Sequence, residues 1–194
     1  MKKVLAVLIA VVATVSVITL IQFTLGRETT LTPEDVIKGV KSQFTVTSDV
    51  LKYGGGFPVK YTCDGKNLSP PLKWFGFKKL GTSFVLIMYD PDAPKGIFYH
   101  WLLYNIPEGI SELPEGIPGK EVINGLGTQG VNDFGELGYG GPCPPKGEKH
   151  RYVILVLHLS KKIQFKPGLT ANELLNIVKG NVVEYGKLLV YYQR

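Results

Sequence analysis

Cysteine and histidine are scarce in this chain, with two cysteines (Cys63, Cys143) and three histidines (His100, His150, His158) in 194 residues. No Cys-x-x-Cys and no His-x-x-x-His spacing occurs, which removes zinc ribbons and helix-borne zinc sites from consideration. Runs of basic residues are missing too. The net charge is +6, but of 22 Lys and Arg two are Lys2 and Lys3 at the extreme N-terminus, leaving 20 against 16 acids. Nucleic acid is therefore not implied, and Lys78-Lys79 and Lys161-Lys162 read as solvated strand ends or turns. There is no internal repeat, and no low-complexity tract beyond the apolar leader.

Glycine (23) and proline (13) are abundant beside ten tyrosines and nine phenylalanines, a balance that suits strands and turns rather than a helical bundle. The segment 1–26 stands apart. Lys2 and Lys3 precede an uncharged, mostly apolar run from Val4 to Leu25, about 22 residues or roughly 33 Å as a helix. That length exceeds a signal-peptide core, and no small-residue cleavage pattern lies near Gly26. The expectation is a single-pass membrane anchor with the domain facing outward. Secretion after cleavage is the alternative.

Residues 27–42 read as a polar stalk, with a short helix after Pro33 capped by Thr32 and Asp35. From Gln43 to Arg194 a single all-β domain is expected. QFTVTS, FPVKYT, LKWF, SFVLIMY, FYHWLLYN, RYVILVLHL and KLLVYY read as its strands, SFVLIMY buried on both faces. About forty residues between FYHWLLYN and RYVILVLHL show no period and read as a packed loop. Thr170 to Glu173 forms a capping box, and Leu174, Leu175, Val178, Val182 and Tyr185 continue at helical spacing toward Gly186.

The stretch DPDAPKGIFYHW, Asp90 to Trp101, concentrates two carboxylates and a histidine beside an apolar strand. An EF-hand is excluded, because its sixth and twelfth positions would be Lys95 and Trp101. Gly81-Thr82-Ser83-Phe84-Val85 lacks the second glycine of a nucleophile elbow, and Lys146 stands where a Walker loop from Gly141 needs glycine. A Cys143–His150 thiol pair is a poor nucleophile if Cys143 is bridged. A zinc site from Asp90, Asp92, His100 and His150 has no supporting spacing, so neither metal nor cofactor is expected.

On strand RYVILVLHL, His150 and His158 share a face but stand roughly 26 Å apart, so they cannot serve one site. His100 lies on the face of Leu102 and Tyr104. Taken singly, each histidine is more often structural than functional; two of them beside two aspartates suggest a site. A disulfide between Cys63 and Cys143 is permitted outside the cytoplasm and would close a loop of about 80 residues, worth roughly 4 to 5 kcal/mol. Two separate thiols remain the alternative.

Tyr61 to Leu72 (YTCDGKNLSPPL), Asp90 to Pro94 with His100-Trp101, Gly138 to Gly147 (GYGGPCPPKG) and His150-Arg151-Tyr152 resemble the phosphatidylethanolamine-binding protein family, also known as the Raf kinase inhibitor protein family, in its bacterial and archaeal branch. The resemblance implies a Greek-key β-sandwich with a peripheral C-terminal helix. It also implies a pocket for phosphate-like anions, including phospholipid head groups. Carried over by position, its residues are Asp90, Asp92, His100, the wall from Gly141 to Pro145, His150 and Tyr152. On this view an aspartate orients one imidazole nitrogen, the other N–H faces the ligand, and Gly140, Gly141 and Cys143 supply backbone donors. Family members regulate kinases, and some inhibit serine proteases, which makes a protease a candidate partner. A small hydrolase or lyase using His100 and His150 as acid and base is the rival from another class.

Overall fold

Strand β3 (Ser83–Asp90) is buried along its whole length, and this sets the architecture. Its side chains alternate between two separate cores. Phe84, Leu86 and Met88 enter one core, while Val85, Ile87 and Tyr89 enter the other. The computed structural model describes residues 30–161 and 166–194.

The first core lies between two antiparallel sheets. The smaller sheet has the order β1 (Thr45–Thr47), β2 (Leu72–Phe75), β5 (Glu112–Leu113). The larger has the order β6 (Val122–Ile123), β7 (Gly127–Gln129), β4 (Phe98–Pro107), β3, β8 (Lys149–Leu159), β9 (Val182–Gln193). Trp74, Phe84, Trp101, Ile154, Val156 and Val190 fill the space between them. Each such burial contributes about 1.5–3 kcal/mol before entropy is counted.

The second core covers the outer face of the larger sheet. Helix α1 (Pro33–Ile37), started by a Thr32–Asp35 capping box, adds Val36 and Ile37. Helix α2 (Ala171–Val178), started by a Thr170–Glu173 capping box, adds Leu174, Leu175 and Val178. Glu34 accepts hydrogen bonds from Tyr89 Oη at 2.7 Å and Lys187 Nζ at 2.8 Å, fastening α1 to β3 and β9.

Several sequence expectations need correction. Among the described residues no helix is long and apolar enough to cross a membrane. The membrane-spanning helix and the single-pass, outward-facing placement are withdrawn; the leader 1–26 itself lies outside the described residues. FPVKYT is no strand, because Pro58 leads into a 3-10 turn over Val59–Tyr61. Helix α2 ends at Val178 rather than near Gly186. Gly180 takes a positive φ of 76° that reverses the chain, and Val182 and Tyr185 then pair with Leu159 and Leu157 in β9. β-branched Val182 and Val183 suit that ladder better than a helix.

Candidate functional site

Antiparallel pairing gathers chain ends at one edge of the larger sheet. The end of β3, the starts of β4 and β8, and the residue after β9 all meet there, around a cavity of about 310 Å³. Asp90, Phe98, His100, Phe134, Cys143, Pro144, Pro145, His150 and Arg194 are among its lining residues.

A β-bulge aims His100. Met88 pairs with Trp101 and Tyr89 with Tyr99, so His100 is an extra residue without a partner on β3. Strict alternation would place it beside Leu102 and Tyr104 in the outer core. Instead its ring packs edge-on against Tyr152 of the inner core, at 5.3 Å between centroids, and lines the cavity. Bulges commonly re-aim a side chain in this way. His100 Nδ1 donates to the Gly140 carbonyl at 2.7 Å. Burial pulls its pKa below the usual histidine value, outweighing that hydrogen bond and the charge of Asp90, so the ring is neutral near pH 7.

His150 is pushed the opposite way. Its Nδ1 donates to Asp90 Oδ2 at 2.7 Å and its Nε2 to Glu148 Oε2 at 3.0 Å. Burial opposes the charge, but the Glu148 and Asp90 carboxylates outweigh it and raise the pKa, favouring imidazolium. Asp90 Oδ1 in turn accepts from the Asp92 N–H at 2.8 Å. The surroundings thus push the pKa values of the two cavity histidines in opposite directions.

Of the remaining expected residues Pro145 lines the cavity, whereas Asp92, Tyr152 and Gly141 fall around it. Asp92 faces outward in a bidentate pair with Arg151, whose guanidinium holds its carboxyl below the usual range despite partial burial. It orients no histidine. Tyr152 lies beneath, its hydroxyl buried close to Asp90 and to the Cys143 backbone. Burial and then the Asp90 charge push that phenol well up, so it stays neutral. Gly141 is buried in a seam against Tyr61, Thr62 and Asn67, where a Cβ would collide with the Tyr61 carbonyl.

The expected N–H cradle is corrected as well. Gly140 N–H donates to the His100 carbonyl at 2.8 Å and Gly141 N–H to Asn67 Oδ1 at 2.7 Å, so both serve the fold. Both nitrogens of His150 are occupied by carboxylates, so the expected free N–H toward a ligand is absent there. Cys63 and Cys143 are joined as a disulfide that borders the cavity.

Sequence reasoning missed the cation on the wall. Arg194 donates from Nε to Asp64 Oδ1 at 3.0 Å and places Nη1 3.5 Å from Cys143 Sγ. Only the β8–β9 register, Lys149 opposite Gln193, brings it beside Glu148. Phe98 could have been found, since it lies two residues before His100 on β4 and so on the same strand face, and Glu148 stands just before β8, two residues from His150. Phe134 arrives from the loop, 4.7 Å from Phe98 between centroids, and carried no periodic signal.

A two-sheet sandwich with an open, mixed polar and aromatic cavity at its strand ends defines a small β-protein with one candidate binding or active site there. The comparisons specify which kind. The model of the phosphatidylethanolamine-binding protein family matches residues 47–193. A UPF0098 protein of Pyrococcus horikoshii is 46% identical over 140 residues, 71% of this chain and 70% of its own length. A phosphatidylethanolamine-binding protein homolog from Chlamydia trachomatis superposes with a TM-score of 0.71 at 34% identity, covering 79% of this chain and 99% of its own. E. coli YbcL, described as a member of the mammalian PEBP family, gives a TM-score of 0.71 at 33% identity over 78% of this chain and 98% of its own. The chain belongs to the phosphatidylethanolamine-binding protein family, in the branch with bacterial and archaeal members.

Proposed function

We propose that the cavity binds a small phosphate-like anion, free or as a phospholipid head group, and that the protein acts by binding rather than by catalysis. The observation that carries this reading is the guanidinium of Arg194, bound to Asp64 through Nε alone, on a cavity otherwise walled by Phe98, Phe134, Pro144 and Pro145. A guanidinium offers a planar fork suited to phosphate oxygens, and low-dielectric walls strengthen its attraction. The apolar walls leave room for a carbon substituent on the anion.

The acid/base alternative is disfavoured by the same geometry. His150 would have to leave two carboxylates to deliver a proton, so only His100, its tautomer fixed by the Gly140 carbonyl, is open to proton transfer, and one histidine is not the acid/base pair that reading requires. Protease inhibition, implied by family resemblance, has no particular loop to recommend it and forms no part of the proposal.

Titration calorimetry with inorganic phosphate and phosphoethanolamine, followed by a crystal soak, tests the reading. Arg194→Gln should weaken binding roughly 10- to 100-fold, the value of a lost charged hydrogen bond of about 1.5–3 kcal/mol. Binding unaffected by Arg194→Gln, or an anion located away from the cavity, would sink it. Phosphoester turnover abolished by His100→Ala would favour the enzyme alternative instead.

A further inference from the structure

We propose that the Cys63–Cys143 bridge is a thiol-exchange site that holds one wall of the cavity, so that reduction by a small thiol loosens the pocket without unfolding the domain. Three observations carry this. Cys63 is an exposed residue, whereas Cys143 is partly buried and borders the cavity. Attack on a disulfide requires access to one sulfur, and Cys63 is the more exposed of the two residues. Arg194 Nη1 stands 3.5 Å from Cys143 Sγ, placing a fixed positive charge beside the sulfur that would depart. Asp64, the nearest acid in sequence, does not oppose this freely, because Arg194 and the Tyr192 hydroxyl (2.8 Å) both bind its carboxylate.

The third observation concerns the wall itself. Upstream, Gly141 N–H is tied to Asn67 and the Pro142 carbonyl accepts from Cys63 N–H at 3.1 Å. Downstream, the Pro145 carbonyl accepts from Glu148 N–H at 3.1 Å. Between them, Pro144 and Pro145 have no N–H to give. The bridge ties this cavity-lining stretch laterally to Cys63, beside the contact of the Cys143 backbone with the Tyr152 hydroxyl.

The exchange runs in two steps. A thiolate from a small thiol attacks Cys63 Sγ, forming a mixed disulfide there. The bond to Cys143 breaks, and its electron pair leaves on Cys143 Sγ as a thiolate beside the guanidinium. A second thiol then attacks the external sulfur of the adduct, releasing the small disulfide and the Cys63 thiol. Overall, two thiols are oxidised to one disulfide and the protein bridge is reduced to two thiols, with both protons supplied by the reductant. Because linkage is reciprocal, an occupied cavity should in turn shift the exchange equilibrium toward the closed bridge. This last coupling rests on the anion reading; the exchange site does not.

The test is limiting treatment of the native, full-length protein with reduced glutathione, acid quenching and peptide mapping by mass spectrometry. The expected product carries glutathione on Cys63 and a free thiol on Cys143, and Arg194→Gln should slow its formation several-fold while Arg194→Lys largely preserves it. Glutathione on Cys143, or a bridge that opens only after denaturation, overturns the proposal. The wall is tested by phosphate titration of oxidised protein and of protein reduced and alkylated in place, with the Cys63→Ser, Cys143→Ser double variant as an independent check. Several-fold weaker binding in the reduced forms is expected, and equal binding overturns the tether. If neither form binds phosphate, the anion reading of the cavity has failed, and the adduct map alone decides the exchange site.

Discussion

Strand β8 carries a histidine held by carboxylates at each end, and the two ends differ in what surrounds them. At His150 the partners are Asp90 and Glu148, and the cluster opens on a cavity. At His158 the partners are Glu184, 3.2 Å from Nδ1, and Glu108, 3.6 Å from Nε2, and the ring is fully buried. Phe84 stacks on it at 4.4 Å, Phe77 meets it edge-on, and Gly81 leaves no room for even a Cβ beside Nε2. The same pair of groups, imidazole and carboxylate, is a candidate binding element where water and ligand can enter and a structural fastening where they cannot. Residue type does not decide between these roles; access does.

The comparison is broken most severely at the sealed end. Glu184 also accepts from Ser42 Oγ at 2.8 Å and Lys78 N–H at 2.9 Å, so Glu184→Ala orphans three donors at once. A loss of about 3–5 kcal/mol in denaturant unfolding is expected, with phosphate affinity unchanged. A loss below about 1 kcal/mol would erase the distinction drawn here. At the open end, Asp90→Asn should cost less, about 1–3 kcal/mol, because Glu148 still partners His150, but it should lower anion affinity when titrated.

Stability against pH sharpens the contrast between the two cavity histidines. His150 has a raised native pKa, so its contribution is complete below the unfolded value of about 6.5 and is lost as pH rises through the native value. The stability gap between wild type and His150→Gln should therefore narrow as pH rises from neutrality. His100 has a lowered native pKa, so the unfolded chain takes up a proton that the native ring refuses. As pH falls below about 6.5, wild type should lose stability relative to His100→Gln. Parallel pH profiles for the two variants would contradict the opposite pKa shifts. The smallest effect belongs to Asp92→Asn, whose pair with half-exposed Arg151 is worth about 0–1 kcal/mol and should fade in high salt.

Much of the fold was legible because strand signals are local. LKWF, SFVLIMY, FYHWLLYN and RYVILVLHL all fall within strands, and both capping boxes start helices. The misreadings occurred where a local pattern met a competitor. Val182 and Tyr185 fit the helical spacing of α2, yet the ladder with β8 claimed them after Gly180 turned the chain. His100 fit the face of Leu102 until a register shift turned it round. The apolar length of the leader suggested a spanning helix, which no described residue supports.

By itself the sequence determined the alternation that makes two cores, the helix starts, and the set of polar residues brought near one edge, because each depends on neighbours a few positions apart. Only the tertiary structure decided that Arg194 joins them, that Asp92 and Gly141 stand aside, and that His150 is pushed toward its charged form and His100 away from it. Those outcomes depend on which strand pairs with which, at what register, and how far water reaches, and no short window of residues contains that information.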